Sequence, residues 1–263
     1  MAVNERLLHV SIFGINLAVL IRLMMVGNVT LAKPNILFNF YKRFNMRFLT
    51  KWTFMINLTY YFCMVLVHIL NMLSVNSKTS FKLRRFADAL FTTIVVPIGM
   101  FITLAFWTIY LIDKNLIFPN WLEEVIPLWV NHGIHTFNSV LPLVDLVLVK
   151  HTFSTWPETV FYIALYFASY MICLFGTYFQ HGIWLYPIFS KMTFIQSVCF
   201  CLASYFLSLI IYFIVRLIGI RLGNVFLQIV VLYSIVFNIR SGVPRRGFHG
   251  ASCTIKIFKK AIF

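Results

Sequence analysis

Six stretches of this chain, 7–27, 52–74, 89–112, 127–150, 158–179 and 194–217, are each long and apolar enough to cross a lipid bilayer, which takes about 20 mostly apolar residues in a helix. No water is present in hydrocarbon to satisfy backbone N–H and C=O groups, so a stretch of this kind must close its own hydrogen bonds. The expected fold is therefore all-α, a polytopic membrane bundle of six transmembrane helices. Charged residues make up 11% of the chain, whereas a soluble domain carries about 25%. Residues 1–217 are expected to form the six-helix domain. Residues 218–263 read as a divergent basic tail containing a further apolar stretch at 222–238.

The net charge of +15 does not point to nucleic acid. The basic residues cluster between apolar spans and in the tail, as membrane proteins arrange them, and no basic soluble module is present. With six spans, 14 lysines and arginines fall on the side of both termini and 7 on the other, which places both termini in the cytoplasm. The compartment is the endoplasmic reticulum or the plasma membrane. Residues 28–51 read as a basic, Phe-rich connector that opens with a sequon at Asn28. Residues 75–88 read as a short basic loop, and 113–126 as an acidic one. Pro97 and Gly99 mark a kink in the third span. The five cysteines show no metal or redox spacing, and Cys199 and Cys201 read as packing.

The fourth stretch differs from the others. It carries Asn131, His132, His135, Asn138 and Asp145 within a span, where an aspartate costs about 2.5–3.5 kcal/mol on insertion scales. On a continuous helix Asn131, His135, Asn138, Pro142 and Asp145 form one polar stripe, with His132 beside it. Such a stripe faces a cavity or neighbouring helices, not lipid. Parity brings the starts of the second and fourth spans to the same side of the membrane. Thr50 and Thr53 start one; His132 and His135 lie one to two turns into the other. A threonine at a helix start is ordinarily an N-cap or a surface residue. A lone histidine within a bundle is as readily an interhelical hydrogen-bond partner as a catalyst. His68, on an apolar face, reads as packing, and Asp145 as a buried structural or gating group. His132 and His135 have i, i+3 spacing, but no third ligand is evident, so neither a metal nor a cofactor is expected.

At these positions the chain resembles the androgen-induced protein family. The resemblance runs through Phe48-Leu49-Thr50-Lys51-Trp52, Pro97-Ile98-Gly99-Met100-Phe101, Phe106-Trp107-Thr108-Ile109-Tyr110, Ile117-Phe118-Pro119, Ile126-Pro127-Leu128-Trp129-Val130-Asn131-His132-Gly133-Ile134-His135-Thr136 and Trp184-Leu185-Tyr186-Pro187, in order across roughly residues 40 to 215. The segment after about Leu217 departs from it. The resemblance implies a membrane hydrolase of fatty acid esters of hydroxy fatty acids, with a threonine nucleophile at Thr50 and a histidine at His135.

The chemistry fits those residue types. A threonine hydroxyl needs a base, and imidazole, with a pKa near 6.5, suits the task. An acyl oxyanion needs donors, for which Asn131, His132 and Asn138 are candidates. Asp145 lies roughly 15 Å further along the helix than His135, too far to orient it. The partners expected are a lipid ester substrate and membrane lipids, with no nucleic acid. A transporter or channel whose fourth helix lines a polar pathway is the alternative, and a non-catalytic scaffold a further one.

Overall fold

The computed structural model describes residues 2–26, 36–74 and 77–240, with backbone only at 2–4, 36 and beyond 221. The expected sequon at Asn28 and the cysteine at 253 lie outside the described residues or their side chains. Among the described residues ten α-helices follow one another: α1 (Ala2–Val26), α2 (Ile36–Phe44), α3 (Leu49–Met72), α4 (Ser77–Leu90), α5 (Val96–Asp113), α6 (Asn120–Glu123), α7 (Leu128–His135), α8 (Phe137–Leu148), α9 (Trp156–His181) and α10 (Phe194–Arg240). No strand occurs among the described residues. The chain is an all-α polytopic membrane bundle. Five helical stretches are long and apolar enough to cross a membrane: Glu5–Val26, Leu37–Met72, Ser77–Leu116, Trp156–His181 and Phe194–Arg221. The chain divides into two units, Met1–Ile220 and Arg221–Phe263. The second contributes the end of α10 to the described backbone, so the apolar stretch at 222–238 is helical.

Three expectations are corrected. The described part of the basic connector, 36–51, is largely helix. In α2 the residues Phe38, Tyr41 and Phe44 recur every third position and are buried, while Lys42 and Arg43 occupy the last turn, where the helix dipole favours cations. The segments read as loops at 75–88 and 113–126 contain α4 and α6. The fourth stretch is not one helix but two, α7 and α8, separated at Thr136.

The break has a local cause. In an unbroken helix the Ser139 amide would donate to the His135 carbonyl. Instead the amides of Ser139 and Val140 both donate to the Thr136 carbonyl, at 3.1 and 3.0 Å. The vacated His135 carbonyl accepts from the Thr103 hydroxyl of α5 at 2.6 Å. Trp107 Nε1 donates to Thr136 Oγ1 at 3.1 Å, and His132 Nδ1 lies 3.0 Å from the same oxygen. Tertiary partners thus complete hydrogen bonds that the helix gives up, as burial requires.

Helix α5 is shaped by its proline. Pro97 has no N–H to donate, and the turn before it, Phe91–Val95, widens to a π-turn. Downstream, Pro142 deprives the Asn138 carbonyl of its donor four residues on. That carbonyl lies against Gly99, where a Cβ would stand only 2.6 Å from the oxygen. A missing side chain therefore lets α5 and α8 approach closely, as small residues do between membrane helices.

Candidate functional site

The polar stripe survives the break. Asn131, His135, Asn138, Pro142 and Asp145 are all buried. They nevertheless serve different surroundings, because the stripe passes two distinct regions of the bundle.

At the α7 end lies a large apolar cavity of about 1030 Å³, counting its mouth. Its walls come from α3, α5, α7, α9 and the first unit's part of α10, so it is bounded by more helices than the two the sequence suggested. Most of the lining is Phe, Ile and Leu. Thr50, Lys51, His135 and Tyr186 are among the polar residues that border the cavity. The structure thus brings Thr50 and His135 to one chamber, although no hydrogen bond joins them.

Each is held by identifiable contacts. Thr50 sits in the first turn of α3, where the leading amides have no helical acceptor. Tyr186, from the segment joining α9 and α10, supplies one: its hydroxyl accepts the Leu49 amide at 3.0 Å and lies beside Thr50. Burial holds the Tyr186 pKa above the ordinary tyrosine value, and the hydrogen bonds around the hydroxyl only partly oppose this, so it stays a neutral donor and acceptor. The His135 ring stacks on Phe106, with centroids 3.5 Å apart and planes 8° from parallel. Its Nδ1 is buried and has no hydrogen-bond partner among the described residues. An imidazole in that condition is oriented by packing and retains a free lone pair or proton.

The other residues singled out by sequence lie elsewhere. Thr53 is fully buried and donates to the Leu49 carbonyl at 3.2 Å, with Tyr166 Oη 2.7 Å away; it does not border the cavity. His132 stacks on Trp107. Asn138 Oδ1 accepts from Asn57 Nδ2 at 2.9 Å. Asn131 is buried, its Oδ1 unpartnered among the described residues. None of the three oxyanion candidates, Asn131, His132 and Asn138, lines the chamber.

At the α8 end, Asp145 anchors a buried polar network that the sequence did not announce. Its Oδ1 lies 3.1 Å from His9 Nε2 and 3.6 Å from His151 Nε2, and its Oδ2 accepts from the Tyr60 hydroxyl at 2.8 Å. His9 Nδ1 is 2.9 Å from His68 Nε2. Donation from His9 to Asp145 makes Nδ1 of a neutral ring the acceptor of the His68 proton. His68 is therefore a hydrogen-bond partner and not plain packing. His151 Nδ1 reaches Asp88 at 3.1 Å, and Asp88 meets Arg84 at 3.5 Å. Burial alone would lower the His151 pKa, but its hydrogen bond to Asp88 and the charge of the Asp145 carboxylate 3.6 Å away raise it above the ordinary histidine value. His9 had a signal in the sequence, an ionisable residue inside the first span, which is by default a functional or structural site.

Comparison with known proteins agrees with the landmarks. The chain is 36% identical over 123 residues to the androgen-dependent TFPI-regulating protein of Homo sapiens, covering 47% of this chain and 54% of that protein. It is 33% identical over 127 residues to the same-named protein of Mesocricetus auratus, 48% and 55% of the two chains. It is 31% identical over 108 residues to the androgen-induced gene 1 protein of Homo sapiens, 40% and 44%. These matches span about half the length of the curated relatives. No solved structure matches. The family model described as FAR-17a/AIG1-like protein matches residues 12–219, ending close to where the sequence departs from the landmark pattern. The chain belongs to the FAR-17a/AIG1-like protein family.

Proposed function

We propose that this chain is a membrane-embedded lipid ester hydrolase that cleaves fatty acid esters of hydroxy fatty acids, with Thr50 as nucleophile and His135 as base. The observation that carries the reading is the convergence of Thr50 and His135 on one apolar chamber. An acyl chain entering from the lipid lies along the Phe- and Ile-rich walls while the ester reaches the polar end. His135 takes the Thr50 proton as Oγ1 attacks the ester carbonyl. The tetrahedral intermediate expels the alkoxide of the hydroxy acid, which His135 protonates. Water, deprotonated by His135, then releases the fatty acid from Thr50. The Tyr186 hydroxyl, beside Thr50, is the neutral donor the chamber offers to the developing oxyanion. The transport reading has less support. Asp145 is engaged by His9, Tyr60 and His151 and does not border the cavity.

The test is hydrolysis by purified protein in lipid nanodiscs, with a hydroxy fatty acid ester beside an ordinary triglyceride. Thr50→Ala and His135→Ala should each lower turnover by about 10²-fold or more, while Thr53→Ala keeps it. Folded wild-type protein that hydrolyses neither ester, or a Thr50→Ala variant of undiminished activity, would sink the assignment.

A further inference from the structure

Lys51 follows Thr50 directly and is 7% exposed. It borders the large chamber. It also borders a small adjoining hollow, lined by Tyr41, Lys42 and Asn45 among others. A buried ammonium is costly unless an anion or several acceptors compensate it. No hydrogen-bond or ion-pair acceptor holds the Lys51 side chain among the described residues.

No aspartate or glutamate side chain is placed to compensate it. The chain contains seven Asp and Glu residues, and all seven lie elsewhere. Glu5 and Asp88 meet Arg84, Asp145 meets His9, and Glu123 meets Lys114. Asp113 accepts the Asn115 amide, Glu158 accepts the Thr155 amide, and Glu124 is exposed on the surface. The cavity lining itself includes no acidic residue. A cation, an apolar chamber and the absence of an internal counter-charge together define a ligand: an apolar chain that brings its own anion.

We infer that Lys51 is the recognition site for a free carboxylate on an acyl lipid seated in the chamber, and therefore determines specificity for acid over neutral lipids. This deepens the proposed function, since it requires the substrate to be an ester that also carries an unesterified carboxylate. Lys51 acts here in binding and takes no part in proton transfer. A triglyceride, with no free acid, leaves the ammonium buried and unpaired.

The experiment reads binding, not turnover, so it is separable from the hydrolase assignment. Full-length protein in nanodiscs is loaded with tritiated oleyl alcohol, a neutral tracer. Displacement by oleate, methyl oleate and oleoyl lysophosphatidate is then measured for wild type, Lys51→Met and Lys51→Arg. In wild type, oleate should displace the tracer at a concentration at least tenfold below methyl oleate, and below lysophosphatidate. Lys51→Met should bring oleate and methyl oleate level while methyl oleate displacement stays at the wild-type value, which also certifies an intact chamber. Lys51→Arg should keep the preference for oleate. Equal displacement by oleate and methyl oleate in wild type overturns the inference whether or not Lys51→Met folds. A preference that persists in Lys51→Met also overturns it. Stronger displacement by lysophosphatidate would replace the carboxylate with a phosphate headgroup.

Discussion

Replacing Gly99 by alanine tests a close backbone-to-backbone helix contact in the bundle. The added Cβ would stand 2.6 Å from the Asn138 carbonyl oxygen, whereas ordinary contact begins at 3.4 Å, so the helices must part by roughly 0.8 Å. The obstacle is backbone, and it cannot swing aside as a flexible side chain would. Overpacking of this kind costs about 1–3 kcal/mol. At 1.4 kcal/mol per tenfold, that is about a 5- to 140-fold loss in the ratio of folded to unfolded protein. The displacement also falls on the α5 face that supports the site, since Thr103 holds the His135 carbonyl and Phe106 stacks on the His135 ring. Gly176 provides the control. No atom lies within 4 Å of its would-be Cβ, so alanine there should be neutral or favourable by up to about 1 kcal/mol through helix propensity. Reversible unfolding by SDS titration in mixed micelles reads both. If Gly99→Ala unfolds at the same SDS fraction as Gly176→Ala, the close-approach argument is wrong.

Three further outcomes are expected. Asp145→Asn removes the charge that His9, Tyr60 and His151 surround and should cost about 3–5 kcal/mol; an SDS midpoint unchanged from wild type would refute a supporting role for the network. His151 has a raised pKa in the folded protein, so its contribution to stability is complete below the ordinary histidine pKa of about 6.5 and fades as pH rises through the folded value. Thermal melts from acid to alkaline pH should accordingly show wild type and His151→Gln converging, and a gap constant with pH would contradict this. Thr53→Val deletes the bond to Tyr166 and should cost about 0.5–1.5 kcal/mol with ester hydrolysis retained; loss of turnover in a well-folded variant would shift the nucleophile assignment toward Thr53.

The sequence told most where the message was periodic. Asn131, His135, Asn138, Pro142 and Asp145 stand out by their helical spacing, and every one is buried despite the break at Thr136. An irregularity at Pro97 was legible from the missing amide donor, and it takes the form of the π-turn at Phe91–Val95. The division at Thr136 was not, because it depends on Thr103 and Trp107 from another helix filling bonds that no local residue marks as vacant. Counting Lys51 among connector charges concealed its burial; its position follows from α3 beginning at Leu49, one turn earlier than hydropathy suggested. Nor could spacing alone reveal that His9 meets Asp145, 136 residues along the chain.

The segment after α9 does more than cover the chamber. Tyr186 terminates the amide array of α3 at the turn that presents Thr50 and Lys51. Were residues 182–193 to swing outward and admit a lipid, that turn would lose its acceptor and could fray. The turn that carries Thr50 and the segment that lines the chamber beside it are thereby tied together through one hydroxyl.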